Sequence, residues 1–153
     1  MPEISKEDLI QIRAETKAGV MDVRKALEEA KGNVSKAKEI LKSLGIAKAE
    51  SKSERATGSG IVETYTHGDG KIGVLVEVAC ETDFVAKTDE FKALVHDITL
   101  QIAAMDPTSV DELTSQQFIK DPGRTIADLI HDNIAKTGEN IKIKRFQRFV
   151  LGA

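Results

Sequence analysis

Residues 61–80 read IVETYTHGDGKIGVLVEVAC, and this stretch decides the fold. Two segments with strand character, 61–66 and 71–80, flank the turn His67-Gly68-Asp69-Gly70. In the second segment every alternate position from Ile72 to Cys80 is apolar, which is typical of a strand with one face in a core. An Asp-Gly pair between such segments indicates a hairpin, because both turn positions tolerate positive φ. The sequence therefore predicts an antiparallel hairpin.

The residues after the hairpin have helical spacing and then return to strand character. Thr88 is a favourable helix cap, and the helix that it begins is expected to end at Pro107. Residues 125–137 form another amphipathic pattern, with Gly138 as its stop. Residues 141–151 alternate again but lose phase near Arg145, which indicates a bulge. Together these elements predict an α+β fold, in which helices pack on one face of an antiparallel sheet.

The N-terminal residues 1–46 predict a small module of three helices. Ser5 and Asn33 are favourable N-caps, and Gly45 stands where a C-cap glycine is expected. About 45 residues give a marginal core, and a module of this size typically binds a partner. Residues 47–57 are charged and small, which predicts a linker with some helical character before a core domain of residues 58–153.

Composition and charge exclude several classes of protein. The chain has 153 residues, 41% apolar, and a net charge of −3, so its overall field does not favour nucleic acid. We interpret the basic residues at 142, 144, 145 and 148 as a solvated strand face and not as an RNA site. The single cysteine fits a reducing cytosol, and no apolar run reaches the ~18–20 residues of a membrane span. We therefore expect a cytoplasmic protein without direct contact to nucleic acid or membranes.

The candidates for catalysis and metal binding are weak. Cys80 lies on the apolar side of its predicted strand, where cysteine behaves as a small hydrophobe. The three histidines are scattered, without the spacing of a metal site. The Gly-rich stretch 68–71 lacks the phosphate-loop pattern and joins two strands. We expect neither an enzyme nor a metal or cofactor site.

Two short motifs stand out, namely Cys80-Glu81-Thr82-Asp83-Phe84-Val85-Ala86-Lys87 and Thr16-Lys17-Ala18-Gly19-Val20-Met21-Asp22. Together they resemble the bacterial elongation factor Ts family. The likeness runs over residues 4–105 and 137–153. On residue type alone, Asp83 would be a turn or helix cap and Phe84 a plug in the core. The resemblance instead implies a GTPase partner, elongation factor Tu, from which the family ejects GDP.

The resemblance also implies a set of partner-binding residues. These are Thr82, Asp83, Phe84 and Val85 after the hairpin, Arg13, Val20 and Met21 in the N-terminal module, and His67 at the hairpin turn. The first group would dislodge Mg²⁺ from the nucleotide site, with the phenylalanine inserted between helices of the GTPase. The N-terminal module, similar to ubiquitin-associated domains, would dock beside the phosphates. The family's usual Gly-Met-Met-Asp-Cys is here Gly-Val-Met-Asp-Val at residues 19–23, which shortens one contacting side chain.

The length of the chain resembles that of the short members of the family. Long members carry two core subdomains and a helical hairpin insertion, and residues 106–124 are too few to hold either. The short members assemble as homodimers, so the resemblance implies a homodimer here. The alternative is a small adaptor whose three-helix module binds a peptide or a ubiquitin-like partner. Such an adaptor would retain residues 13–27 as its binding surface and leave Phe84 merely structural.

Overall fold

The N-terminal helices enclose a small core of their own. The computed structural model describes residues 3–153, so residues 1 and 2 of the predicted module lie outside the described residues. The helices are α1 (Lys6–Thr16), α2 (Val20–Glu29) and α3 (Val34–Lys52). Ser5 and Asn33 cap α1 and α3 through their side chains, as predicted. Their shared core consists of Ile12, Val23, Ala26, Leu27, Ala30, Ala37 and Leu41.

Helix α3 is longer than the sequence predicts. Gly45 is predicted to end it, but this prediction is wrong, since the helix continues to Lys52. Beyond the glycine, Ala49 is only 7% exposed and packs in the core formed by the rest of the chain. Tertiary burial of this last part of the helix outweighs the roughly 1 kcal/mol that glycine costs in a helix interior. Residues 47–52 of the predicted linker are therefore helical.

The rest of the chain forms an α+β unit around the predicted hairpin. Its elements are β1 (Ser59–His67), β2 (Ile72–Cys80), α4 (Asp83–Ala86), α5 (Asp89–Met105), α6 (Val110–Ser115), β3 (Gln117–Phe118), β4 (Asp121–Thr125), α7 (Ile126–Thr137) and β5 (Lys142–Val150). The main sheet is antiparallel in the order β1-β2-β5. The small β3–β4 hairpin is an element that the sequence pattern does not predict. None of the helices described here has the length and apolar content needed to cross a lipid bilayer.

Two local irregularities shape the sheet. In the hairpin turn, Gly68 and Gly70 have positive φ angles, whereas Asp69 does not. The strands are therefore joined by a loop of residues 68–71 and not by the predicted turn, in which both Asp69 and Gly70 would have positive φ. The register between β2 and β5 shifts after Glu77, which pairs with Arg145, whereas the next residue of β2 pairs with Ile143. The extra residue on β5 is the bulge predicted from the loss of phase.

The helices cover one face of the main sheet, as predicted. The side chains that β2 turns towards α5 are buried, namely Val74, Val76, Val78 and Cys80. On the opposite face, Val62, Leu75 and Phe149 are 62%, 46% and 72% exposed. The sheet therefore has one covered face and one bare face with apolar side chains.

One residue of the basic cluster is structural. Nε and Nη2 of Arg148 donate to the Ala103 carbonyl at 3.2 and 3.1 Å, near the C-terminus of α5. Nη1 of the same side chain is 3.4 Å from Asp106, and the side chain is 14% exposed. A cation at a helix C-terminus is stabilising. The interpretation as a solvated face is therefore wrong for Arg148, although residues 142, 144 and 145 are exposed as expected.

Candidate partner-binding site

The chain leaves β2 at Cys80 and turns at once into the short helix α4. Thr82 is the N-cap, and its hydroxyl accepts a hydrogen bond from the Val85 N–H at 3.3 Å. Phe84 is 82% exposed, whereas Val85 and Ala86 are 5% and 6% exposed. The buried pair anchors the turn while the aromatic ring points into solvent. The expectation from residue type alone, which makes Phe84 a plug in the core, is therefore wrong.

The backbone in front of α4 is held by Glu139, which follows α7. Its Oε1 accepts hydrogen bonds from the N–H groups of Glu81 and Thr82 at 3.1 and 3.0 Å, and its Oε2 accepts from the Thr82 hydroxyl at 2.7 Å. Gly138, with φ 75°, ends α7 and turns the chain towards these donors. Glu139 is not among the residues predicted from the sequence. Its partners are 57 and 58 residues away, so no local pattern could indicate the contact.

The segment that leaves α3 is tied to the same place. Asn140 is 2% exposed, and its side-chain amide donates to the carbonyl oxygens of Arg55 at 2.8 Å and Ser53 at 3.4 Å. The Arg55 side chain in turn lies 2.6 Å from the Glu81 carboxylate. Residues 138–140 therefore contact both the α4 turn and the connection to the N-terminal module.

The predicted residues of the N-terminal module lie around the connection between α1 and α2. Val20 and Met21 open α2 and are 43% and 60% exposed. Arg13 is exposed near the end of α1, and its Nε is 3.5 Å from the Ala18 carbonyl. Arg13 therefore contacts the connection that leads to Val20 and Met21.

His67 lies apart from the α4 turn. It ends β1 and pairs with Ile72, which begins β2, whereas the α4 turn follows the end of β2 at Cys80. Eight residue-to-residue steps along β2 separate those two ends, a span of about 26 Å at the rise of a strand. The exposed His67 ring contacts the Tyr65 hydroxyl, with 3.0 Å between Nδ1 and Oη. A partner that touches both places must therefore cover the length of the hairpin.

Cys80 has the properties of a structural cysteine. It is fully buried, and its Sγ donates to the Thr82 carbonyl at 3.2 Å. Burial raises the pKa of the Cys80 thiol, and the nearby carboxylates of Glu139 and Asp83 raise it further. A raised pKa disfavours the thiolate, which is the nucleophilic form. Among residues 3–153, no group of three or more potential ligands could hold a metal ion.

A cleft of about 400 Å³ lies between α3, the α1–α2 connection and α7. Some of its charged side chains form ion pairs: Lys42 lies 3.8 Å from Asp128, and Arg124 pairs with Asp132. The first of these contacts joins α3 to α7.

The sequence around the α4 turn matches known proteins. A family model described as "Elongation factor TS" matches residues 81–152, a range that contains both the turn and Glu139. The chain is 42% identical to elongation factor Ts of Coprothermobacter proteolyticus, over 98% of this chain and 99% of that protein. The chain belongs to the elongation factor Ts family. The resemblance drawn from the two motifs is thereby confirmed, and with it a role in translation elongation.

Other elongation factor Ts proteins differ in length. The protein of Thermotoga neapolitana is 39% identical, over 98% of each chain. The protein of Nostoc punctiforme is 46% identical over 99% of this chain, which spans 48% of that relative. The alignment with the Coprothermobacter protein covers 195 positions, compared with 153 residues here, so that relative carries residues that this chain lacks.

Proposed function

We propose that this member of the family is a guanine nucleotide exchange factor for elongation factor Tu, and that it promotes GDP release by disrupting the Mg²⁺ and phosphate site. The observation that carries the proposal is the exposure of Phe84, 82%, on a turn whose next two residues are anchored in the core. A large aromatic side chain held out from a rigid scaffold is suited to insertion into a partner.

In this mechanism Thr82, Asp83, Phe84 and Val85 act as one unit. Phe84 inserts between helices of the GTPase, and Asp83 beside it changes the field at the nucleotide site. Val85 supports the turn from the core, where it is 5% exposed. Mg²⁺ bridges nucleotide phosphates to a GTPase, so its displacement removes a large positive charge and weakens phosphate binding.

Exchange follows from this competition without covalent chemistry. Because binding free energies are linked, the factor and GDP lower each other's affinity by the same factor. GTP then enters the vacated site and releases the factor. The protein forms and breaks no bond in this cycle, so neither a catalytic residue nor a cofactor of its own is needed.

The N-terminal module, residues 1–46, docks on the GTPase through Arg13, Val20 and Met21. Val20 and Met21 supply exposed apolar surface, and Arg13 supplies positive charge. His67 adds a contact about one hairpin length away from Phe84. Residues 47–57 join this module to the core domain, residues 58–153.

The same proposal includes a homodimer formed by the core domain. The face of the sheet opposite α5 exposes Val62, Leu75 and Phe149. A second copy is the occupant that this face fits, because two such sheets can pack face to face and bury each other's apolar side chains. We expect the dimer to work in the cytoplasm, through protein contacts alone.

The experiment loads elongation factor Tu with fluorescent GDP and follows its release into excess unlabelled nucleotide. We expect substoichiometric amounts of the chain to accelerate release, since the factor turns over. A peptide-binding adaptor would bind without changing the release rate, and a thiol enzyme would respond to alkylation of Cys80. An unchanged release rate at saturating concentrations would refute the exchange function.

A further inference from the structure

The Glu139 carboxylate makes three hydrogen bonds to the segment that carries Phe84. It accepts from two consecutive backbone N–H groups, at 3.1 and 3.0 Å, and from the Thr82 hydroxyl at 2.7 Å. Glu139 is itself held, because its N–H donates to the Thr137 hydroxyl at 3.2 Å and Gly138 fixes the turn before it. The carboxylate thus clamps the α4 turn to the end of α7.

This clamp determines the orientation of the Thr82 hydroxyl. The hydroxyl donates to Glu139 and at the same time accepts from the Val85 N–H, 3.3 Å away. Helix α4 has four residues, too few to be stable from its own hydrogen bonds. Its geometry therefore depends on this cap and on the burial of Val85.

We propose that Glu139 is a positioning residue that holds the α4 turn in the conformation that presents Phe84 to a GTPase partner. This inference rests on the proposed exchange function. Glu139 acts through the geometry of its hydrogen bonds and not through its negative charge. Without these hydrogen bonds, the α4 turn would have to become ordered while the factor binds the GTPase, and that ordering would slow nucleotide release.

Three substitutions of Glu139 separate geometry from charge. Glu139→Gln removes the charge but keeps an oxygen for both backbone N–H groups, and the Thr82 hydroxyl accepts from the new amide. Glu139→Asp keeps the charge but is one methylene shorter, so the carboxylate no longer reaches all three donors. Glu139→Ala removes both. Glu39→Ala, an exposed glutamate on α3, is the control for loss of one negative charge.

The first measurement is hydrogen exchange of the Glu81 and Thr82 amides in the free, full-length chain. We expect Glu139→Ala and Glu139→Asp to accelerate this amide exchange about tenfold, which corresponds to the loss of one net hydrogen bond. Glu139→Gln should stay within about threefold of the wild type.

The second measurement is the maximal rate of GDP release from elongation factor Tu. We expect the wild type and Glu139→Gln to release GDP at similar rates, and Glu139→Asp and Glu139→Ala to be about tenfold slower. The half-saturating concentration should change by less than about threefold, because the N-terminal module still docks.

The outcomes distinguish the two proposals. If the wild type fails to release GDP, the exchange function is refuted, whatever the amide data show. If Phe84→Ala slows release and Glu139→Ala does not, the exchange function stands and the positioning role is refuted. If Glu139→Asp is active and Glu139→Gln is not, Glu139 acts by charge, which also overturns the inference. Thermal midpoints of each variant test whether a slow rate comes from an unfolded chain, and Glu139→Asp remains informative if the alanine variant does not fold.

Discussion

Phe84 and Phe91 are seven residues apart and have opposite environments. Phe84 is 82% exposed and Phe91 is fully buried beneath the sheet. The two rings lie on different helices: Thr82, before Phe84, begins α4, and Thr88, between the two rings, begins α5, so the second ring faces the core while the first faces away. The buried ring therefore contributes to stability, and we propose that the exposed ring contacts the partner.

Phe84→Ala tests the exposed ring. We expect the free energy of unfolding to fall by about 0.5 kcal/mol or less, as for surface changes, instead of the ~3–5 kcal/mol of a buried phenylalanine. GDP release should slow at least about tenfold, which corresponds to ~1.4 kcal/mol of binding free energy from one aromatic contact. Chemical denaturation and release kinetics on the same preparation provide both values. Ile119→Ala, 41% exposed, is the control. A large loss of stability with unchanged release per folded molecule would contradict the prediction.

Arg148→Ala tests the one structural residue of the basic cluster. Loss of the guanidinium leaves the Ala103 carbonyl, near the C-terminus of α5, without its two charged donors. Loss of a hydrogen bond from a charged group costs about 1.5–3 kcal/mol of unfolding free energy. Arg145→Ala is the matched control, because that side chain is 84% exposed and pairs with Glu77, and it should cost less than about 1 kcal/mol. Urea denaturation that gave equal losses for the two variants would show Arg148 to be dispensable.

Helix α3 shows how one element takes part in two cores. Ala37 and Leu41 pack in the N-terminal core, and Ala49 packs in the core under the sheet. Between them Gly45 has ordinary helical surroundings, with open space where a Cβ would stand. Gly60 in β1 differs, since it has φ +141° and an added Cβ would lie 2.2 Å from the Val78 carbonyl oxygen.

Gly45→Ala should therefore stabilise the protein. Alanine lowers the entropy of the unfolded chain and fits a helix interior, which is worth about 0.5–1 kcal/mol in unfolding free energy. Gly60→Ala should instead destabilise it by more than about 1 kcal/mol, because its backbone conformation and the close carbonyl exclude a side chain. Thermal denaturation of both variants measures the contrast. If α3 ended at Gly45 with a left-handed cap, the first substitution would destabilise the protein, and that result would refute the continuous helix.

At the scale of the whole molecule, the main sheet has an apolar face that helices do not cover. The side chains on that face alternate with those in the core along β1 and β2, as the two-residue period of a strand requires. Val62, Leu75 and Phe149 remain exposed there. The proposed homodimer follows from this asymmetry.

Light scattering measures the dimer directly. At tens of micromolar we expect a mass about twice the 16.7 kDa of one chain, unchanged by reducing agent because Cys80 is buried. Phe149→Glu, which places a charge on the bare face, should return the mass to 16.7 kDa. Ile119→Glu adds the same charge at another exposed apolar position and should leave the dimer intact. A monomeric wild type would refute the homodimer. A dimeric Phe149→Glu variant would show that the dimer interface is not on the bare face of the sheet.

Many elements follow from local patterns. The hairpin, the caps at Ser5, Asn33 and Thr88, and the stop at Gly138 are in the structure where the sequence predicts them. The predictions failed where distant packing decided the outcome. Helix α3 passes through Gly45 because Ala49 finds a core, and Arg148 is structural because β5 brings it to the end of α5.

The sequence by itself determined the α+β class, the three N-terminal helices and the family, because hydrophobic period, caps and motifs are properties of neighbouring residues. It also singled out the Thr82–Val85 segment. Only the tertiary structure decided that Phe84 points outward and that Glu139, 57 residues away, holds its turn. A side chain's environment depends on which remote elements pack beside it, and hydrogen bonds between distant residues leave no periodic trace in the sequence.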